Sequence, residues 1–462
     1  MTAFNLTQTG IPGIIWPPLV NGPPAPLAAL MYQLEATQWL TSDELAQQQY
    51  LQLVTMAQHA VDTSPFFSKR MADAGLIAEQ LNNLTGLRKL PVMSRRELQS
   101  AGEKLFCTRI PKAHLPIVDT QSSGSSGEPV TVKRTAINHL LWLASALREH
   151  LWHERDFAGK LAIIRVSSDL DKPKDLDTWG PPVGLFYKSG TSHAMSLTTD
   201  VSQQVDWLAQ INPDYLLTYP TNLAALLEEF EKRGIKHSNG LPNRLSNLRQ
   251  IRTIGETLPS GLRDATRKSF GVEIADIYSS QEVGNIALQC PQSSMYHIMS
   301  ESLIVEILDE QGLACLPGQT GRVVVTDLHN FATPLIRYDI GDYAEVGEVC
   351  SCGRGLPTLK RIVGRERNMI KLPNGSRHWP LVGAHSYREV APIRQYQVIQ
   401  RSTELLEVRL VSDVPLNVGQ EERLAEIIHK TVGHPFQLEF VYFDQEIPRG
   451  RGGKFEEFIC EI

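Results

Sequence analysis

From Lys160 to Ser280 the chain alternates strand-length apolar runs with amphipathic helical segments, and this alternation constrains the fold more than any other feature. "KLAIIRVSS" has the length and apolarity of a buried strand, and "VSQQVDWLAQINPDYLLTYP" reads as a helix followed by a short strand. "LAALLEEFEKRG" is a helix closed by Gly234, "LRQIRTIGETL" a strand, "SGLRDATRKSFG" a helix and "VEIADIYSS" a strand. Together with the long helix "AINHLLWLASALREHLW" upstream, the pattern predicts an α/β fold, a sheet covered by helices.

The texture differs on either side. From Leu27 to about Gly75 the chain reads as helices, with Leu45, Leu51, Leu53, Val54 and Ala57 roughly at helical spacing. From about Ser302, "SLIVEILDEQG" and "GRVVVTDL" are strands joined by tight glycine-containing turns, which predicts a β-rich subdomain. After "KRIVGRERN" the order is β-β-α-β, and Leu424, Ile427, Ile428 and Val432 mark one apolar face of the helix "EERLAEIIHKTVG". A chain of 462 residues is too long for one core. We therefore expect a large N-terminal domain over 1–364 and a small α+β domain over 365–462.

Bulk properties exclude several function classes. With 42% hydrophobic and 21% charged residues the chain is of ordinary globular composition. A formal net charge of −6 gives no basic field of the kind nucleic-acid binders carry, so an anionic ligand must be held by a local site. The first residues lack a basic, apolar leader pattern and no apolar run reaches spanning length, which predicts no membrane partner. Six cysteines are too few for a disulfide scaffold, and the expectation is a cytoplasmic protein with reduced thiols.

The stretch "TQSSGSSGEP", Thr120 to Pro129, has the composition of a flexible linker. It has equally the composition of a phosphate loop, in which glycines turn backbone amides towards an anion and serine hydroxyls add donors. No Gly-Lys-Ser/Thr closes it, so it is not a Walker loop. Taken singly, other residues have plain explanations too. Asp342 suits a turn, Lys454 a solvated tail, and Glu282 the cap of a following helix.

In order along the chain come "IGETL" (Ile254–Leu258), "DIYSSQEVG" (Asp276–Gly284), "TPLIRYDIGD" (Thr333–Asp342), "VGRERN" (Val363–Asn368) and "RGRGGKF" (Arg449–Phe455). With the Ser/Gly loop they resemble the ATP-site signatures of the adenylate-forming superfamily, most closely the phenylacetate–coenzyme A ligase family. "SPFFSKRMADAGL" and "LTGLRKLPVMSRREL" are similar to that family's N-terminal region, so the resemblance spans nearly the whole chain. It implies an ATP-dependent, AMP-forming acid–CoA ligase: a carboxylate attacks the α-phosphate of ATP, pyrophosphate leaves, and the thiol of coenzyme A then displaces AMP. Carried over residue by residue, Ser122, Ser123, Gly124, Ser125, Ser126 and Gly127 form the phosphate loop. Gly255, Glu256 and Thr257, with Asp276, Ile277 and Tyr278, line the adenine slot. Glu282 holds Mg²⁺, Asp342 accepts the ribose hydroxyls, and Arg365 lies near ribose and phosphates at the hinge. Lys454 swings in with the small domain for adenylation and away for thioester formation. The chain departs from the family pattern at Ser279, usually Gly, at Gln281, usually Ser or Thr, and at Arg367 and Asn368, where an Asp is usual.

Cys290, His297, Cys350 and Cys352 supply three thiols and an imidazole, a donor set that suits structural zinc. By spacing alone buried thiols and a hydrogen-bonded histidine serve as well, since Cys-x-Cys is tighter than the usual knuckle. Some members of the family have a similar Cys…His pair and a later Cys-x-Cys-Gly, which implies zinc. Cys107, Cys315 and Cys460 lack such partners. The family's acid pocket implies Trp179, Phe186, Tyr187 and Tyr219 as a lining for an aromatic acid, although the same residues suit a core. Two alternatives remain open: transfer of the adenylate to an amine or a carrier-protein thiol, and a non-catalytic relative that binds nucleotide. The resemblance also allows a homodimer.

Overall fold

The computed structural model describes residues 9–14, 16, 18–121, 129–166, 170, 172–234, 245–259, 261–365, 368–378, 380, 387, 390–412, 414–448 and 455–462. The sequence expectations for Ser122, Ser123, Gly124, Ser125, Ser126, Gly127, Arg367 and Lys454 lie outside them. The chain divides into two compact units, the larger running to Ile362 and the smaller from Val363 to Ile462.

The strands β1 (Ile117–Gln121) and β2 (Thr131–Thr135) pair antiparallel, with Gln121 opposite Thr131. The Ser/Gly stretch therefore connects two paired strands. The segment "TVKRT" is too short and too polar to announce a strand by its sequence. Thr135 then caps the helix Ala136–Trp152 in a reciprocal capping box with Asn138.

The main sheet begins with β3 (Leu161–Arg165), β4 (Lys174–Leu176), β5 (Ser192–Ser196), β6 (Tyr215–Thr218), β7 (Gln250–Ile254) and β8 (Glu273–Ser280). It continues with β9 (Gly284–Gln289), β10 (Tyr296–Ile298), β11 (Leu303–Leu308), β12 (Thr320–Asp327), β13 (Tyr338–Val346) and β14 (Thr358–Arg365). Among the described residues these twelve strands form one sheet, in the order 11-12-13-14-10-9-8-7-6-3-5-4. Strands β5, β3, β6, β7 and β8 are mutually parallel, and the sheet turns antiparallel from β8 to β9. The expected helix-covered sheet and β-rich subdomain are thus continuous. The short turn containing Glu282 joins the two halves.

Helices Val201–Ile211, Pro220–Lys232 and Leu262–Phe270 bury Val205, Leu208, Leu223, Leu226, Leu262 and Phe270 against Ala162, Leu216, Ile251 and Ile274 of the parallel strands. The N-terminal helix Ser42–Thr63 is fixed by a Thr41–Glu44 capping box and buries Leu45, Leu53, Met56, Ala57 and Ala60. Leu51, expected on that face, is 68% exposed, because a position two residues before Leu53 lies round the helix from the buried stripe.

In the smaller unit the short strands β15 (Ile370–Lys371) and β16 (Arg377–His378) pair antiparallel, and β17 (Ile393–Gln400), β18 (Leu405–Ser412), β19 (Gln437–Phe443) and β20 (Phe458–Cys460) form a sheet in the order 19-18-17-20. Between β18 and β19 the helix Val418–Val432 buries Leu424, Ile428 and Val432, with Ile427 half-buried beside them. The last strand, β20, was not foreseen. It pairs parallel to β17 through Val398, Ile399 and Gln400.

Candidate functional site

The parallel strands β7 and β8 deliver two of the sequence motifs at their carboxyl ends, where open α/β sheets place ligands. After β7, Gly255 takes a φ of +77°, which only glycine adopts without strain, and the chain turns sharply. Glu256 follows, and its Oε2 accepts hydrogen bonds from the Thr221 amide (3.0 Å) and hydroxyl (2.7 Å). Its carboxylate thus caps the helix Pro220–Lys232, at the end where the helix dipole favours negative charge. Thr257 beside it is exposed.

On β8, Asp276 points into the interior. Its oxygens accept from the Thr253 hydroxyl at 2.5 Å and the Tyr296 hydroxyl at 2.7 Å. Burial raises its carboxyl above the ordinary range against the pull of those donors. Ile277 packs in a cluster with Leu288 and Met299. The Tyr278 hydroxyl donates to Asp342 Oδ2 at 2.8 Å, closing a gap of 64 residues in sequence. Tyr278 and Asp342 are 7% and 8% exposed.

The turn from β8 to β9 carries Glu282, itself buried, and β9 follows directly, which removes the helix-cap explanation. Its Oε1 lies 3.4 Å from Arg95 Nη1. Sequence reasoning missed Arg95. It is the first residue of the helix Arg95–Ala101, whose Ser94–Glu97 capping box is the only local signal. Met93, two residues earlier, clips the segment to the "IRYDIGD" stretch. Its amide donates to Arg337 O at 2.7 Å and its carbonyl accepts from the Asp339 amide at 2.9 Å. Arg337 sits at a φ of +52°, held there by a paired contact with Glu306 at 2.9 and 3.2 Å. Tyr338 is buried close by, and its phenol is pushed up by burial and by the Glu282 charge.

A cleft opens on the other side of the Glu282 turn, lined by Arg134, Asn138, Trp142, Ser145, Asn285 and Asp327. Asp327 Oδ1 accepts from the His329 amide at 2.9 Å and Oδ2 from Asn138 Nδ2 at 3.4 Å. Burial raises its carboxyl to about 6 against these bonds and the Arg134 charge.

The aromatic residues expected to line an acid pocket are not gathered at these residues. Trp179, Phe186 and Tyr187 pack in a core cluster with Leu143, Leu147, Phe157 and Tyr215, and Trp179 Nε1 donates to Gly159 O at 2.8 Å. Tyr219 belongs to a different cluster, at the start of the helix Pro220–Lys232. Arg365 ends β14, and Asn368 of the smaller unit donates to Phe458 O at 2.6 Å.

The donor atoms of Cys290, His297, Cys350 and Cys352 all lie within 4.8 Å of one another. Cys290 Sγ and Cys350 Sγ are 3.7 Å apart, and Cys352 Sγ is 3.3 Å from His297 Nε2. His297 Nδ1 lies 3.3 Å from Leu356 O, so the ring donates there and turns the Nε2 lone pair towards the thiols. Burial pulls this imidazole down to about 4 and keeps it neutral. Burial would also raise Cys350, but bonds from Ser293 and the Cys352 amide override it and lower the thiol. The donor set, its convergence and the fixed tautomer fit a tetrahedral zinc ion. Four protein donors leave no open position for a substrate.

No described helix is long and apolar enough to cross a membrane. Residues 380–461 match the family described as CapK C-terminal domain. The chain is 24% identical over 464 residues to a phenylacetate–coenzyme A ligase of Thermus thermophilus, covering 93% of this chain and 99% of the relative. It is likewise 24% identical over 346 residues to a phenylacetate–coenzyme A ligase of Aromatoleum evansii, covering 73% of this chain and 74% of that one. Among solved structures, 2-hydroxyisobutyryl-CoA ligase in its postadenylation state superposes with a TM-score of 0.70 at 18% identity, over 91% of this chain and 90% of the other.

Proposed function

We propose that this chain, a member of the adenylate-forming superfamily, activates a small carboxylic acid with ATP and transfers the acyl group to coenzyme A. In the first step a carboxylate oxygen bonds to the α-phosphorus and the bond to pyrophosphate breaks. In the second, the thiolate of coenzyme A bonds to the acyl carbon and AMP leaves with the electron pair. The observation that carries this reading is the convergence of separate motifs at one end of the sheet. Gly255 to Thr257 follow β7, Tyr278 holds Asp342, and Glu282 meets Arg95.

In this reading Asp342 takes the ribose hydroxyls, with Tyr278 orienting its carboxylate and presenting a ring face to adenine. Backbone around Asp276 and Ile277 borders the base, since both side chains are committed to the interior. Mg²⁺, when bound at Glu282 with the phosphates, neutralises charge on the leaving pyrophosphate. Ser122 to Gly127 supply amides and hydroxyls to the phosphates, and Lys454 brings a cation for adenylation on the smaller unit. Cys290, His297, Cys350 and Cys352 would hold a structural zinc, which would tie the end of β9 and β10 to the segment between β13 and β14. The relatives favour an aromatic acid and coenzyme A as acceptor, in a cytoplasmic setting that keeps the thiols reduced.

Acid-dependent exchange of labelled pyrophosphate into ATP tests the first step across a panel of aryl and small aliphatic acids. AMP release with and without coenzyme A tests the acceptor. Absence of exchange with every acid overturns the reading. Lys454→Ala should abolish exchange yet spare thiolysis of a supplied acyl-adenylate.

A further inference from the structure

Arg134 has no role in the arrangement above, yet it lies in the cleft beside the Glu282 turn. It stands on β2, the strand that follows the Ser/Gly stretch, and its guanidinium packs over Gly284, two residues from Glu282. A Cβ on Gly284 would come within 3.1 Å of Arg134 Nη2, so the guanidinium fills the room that glycine leaves. Burial lowers the Arg134 pKa, and the Asp327 charge opposes that shift. Asp327 spends its oxygens elsewhere, on the His329 amide and Asn138. Asn285 Nδ2 likewise donates to Ser145 Oγ at 2.9 Å. Among the described residues nothing hydrogen-bonds to the Arg134 guanidinium.

A planar fork of five N–H donors, withdrawn from water and unmet by protein, is an arrangement that an oxyanion completes. Such a group would add to the cation that Lys454 supplies in the reading above. The Ser/Gly stretch carries no lysine, and Gln281 stands where a Ser or Thr is usual next to the glutamate. Asp327, which also lines the cleft, repels a second negative charge when ionised, so the cleft suits one oxyanion held against Arg134.

We propose that Arg134 is an oxyanion-binding residue of the active site, taking in the cleft beside Gly284 either the carboxylate of the acid or a phosphate oxygen of ATP. The proposal rests on the reading of the chain as an ATP-dependent acid-activating enzyme.

Isothermal titration of the full chain with Mg-ATP, and separately with phenylacetate and benzoate as probe acids, tests it on wild type, Arg134→Met and Arg134→Lys. A loss of at least about tenfold in Mg-ATP affinity in Arg134→Met, with acid affinity held, assigns the phosphate. The opposite split assigns the carboxylate. In either case Arg134→Lys should recover only part of the loss, because it restores the charge without the fork, and should leave that one affinity measurably below wild type. Wild-type protein that binds neither Mg-ATP nor acid overturns the enzymatic reading and this inference with it. Wild type that binds Mg-ATP or acid while both variants bind it equally well overturns this inference alone. Equal loss of all ligands with a lowered unfolding temperature and no rescue by lysine marks Arg134 as structural and also overturns it. If Arg134→Met does not fold, Arg134→Lys still decides, because a compact ammonium in place of the fork should shift one affinity and not the other.

Discussion

Tyr278 donates its hydroxyl hydrogen to Oδ2 of Asp342 across 2.8 Å, joining the end of β8 to β13 in a nearly closed environment. One carboxylate oxygen is thereby oriented, which is what the hold on two ribose hydroxyls proposed for Asp342 requires. Tyr278→Phe keeps the ring and removes the donor, so Mg-ATP affinity should fall by less than about tenfold, the worth of one such bond. Asp342→Asn removes the charge and should cost more, on the order of tenfold to a hundredfold. Titration of Mg-ATP against both variants checks the order. A larger loss in Tyr278→Phe than in Asp342→Asn would contradict the assignment of Asp342.

Arg95 and any divalent cation compete for the same carboxylate, because Nη1 of Arg95 already lies 3.4 Å from Oε1 of Glu282. Removing the guanidinium should therefore let Mg²⁺ bind Glu282 more readily. In Arg95→Ala the Mg²⁺ concentration giving half-maximal pyrophosphate exchange should drop by about threefold to tenfold, the scale of a partly buried pair worth about 1 kcal/mol. Arg95→Lys should lie between. An unchanged or higher Mg²⁺ requirement in Arg95→Ala would show that the pair does not gate the metal.

Periodicity and residue type carried part of this site. The apolar runs at β3, β7 and β8 and the 3.6-residue stripe at Leu424, Ile428 and Val432 are local signals, and the described elements lie where those signals are. The four metal donors were legible as residue types, although only folding brings Cys290 within 3.7 Å of Cys350. Arg95 was illegible because its meaning depends on a partner 187 residues away. The continuity of the twelve-stranded sheet was hidden for the same reason, since it depends on β10 pairing with β14 across a long excursion. Trp179, Phe186 and Tyr187 were legible as aromatic residues, but their packing was not. Aromatic residues near a pocket motif and aromatic residues in a core have the same composition, and only contacts such as Trp179 against Phe157 and Tyr215 separate them.

The Cys₃His set should hold one zinc per chain, measured by metal analysis of protein purified without added metal. The segment between Cys350 and Gly355 also grips the N-terminal region. Gly355 donates its amide to Gln38 O at 2.9 Å, and Arg354 donates to Gln38 Oε1 at 2.9 Å while lying over the Trp152 ring. Loss of the ion should therefore loosen the larger unit as well as the knuckle. Cys352→Ser or treatment with a strong chelator should lower the unfolding temperature on the order of 10 °C. Full stability in a zinc-free chain would leave the cluster as buried thiols.

Asp327 yields a pH signature. Its carboxyl lies at about 6 in the folded chain against an ordinary value of 3.8, because burial outweighs the His329 amide and the Arg134 charge. The folded state thus binds this proton more tightly than the unfolded chain, and the carboxylate destabilises the fold once pH exceeds the unfolded value. The penalty is absent below about pH 4, about half present at pH 5 and complete above pH 7, where it amounts to about 3 kcal/mol. His329, pulled down by burial to about 4, adds a pH dependence of its own as the unfolded imidazole titrates, but it does so equally in wild type and in Asp327→Asn and drops out of the difference between them. Asp327→Asn keeps an acceptor for the His329 amide and has no proton to lose. Its denaturant midpoint should therefore gain on wild type as pH rises from 5 to 7.5, by the equivalent of roughly 1 to 2 kcal/mol. The attraction between the Asp327 carboxylate and Arg134 is already contained in the value of about 6, so it does not enter the comparison a second time. Parallel midpoints for the two proteins across this range would place the Asp327 carboxyl at its ordinary value and remove the cost.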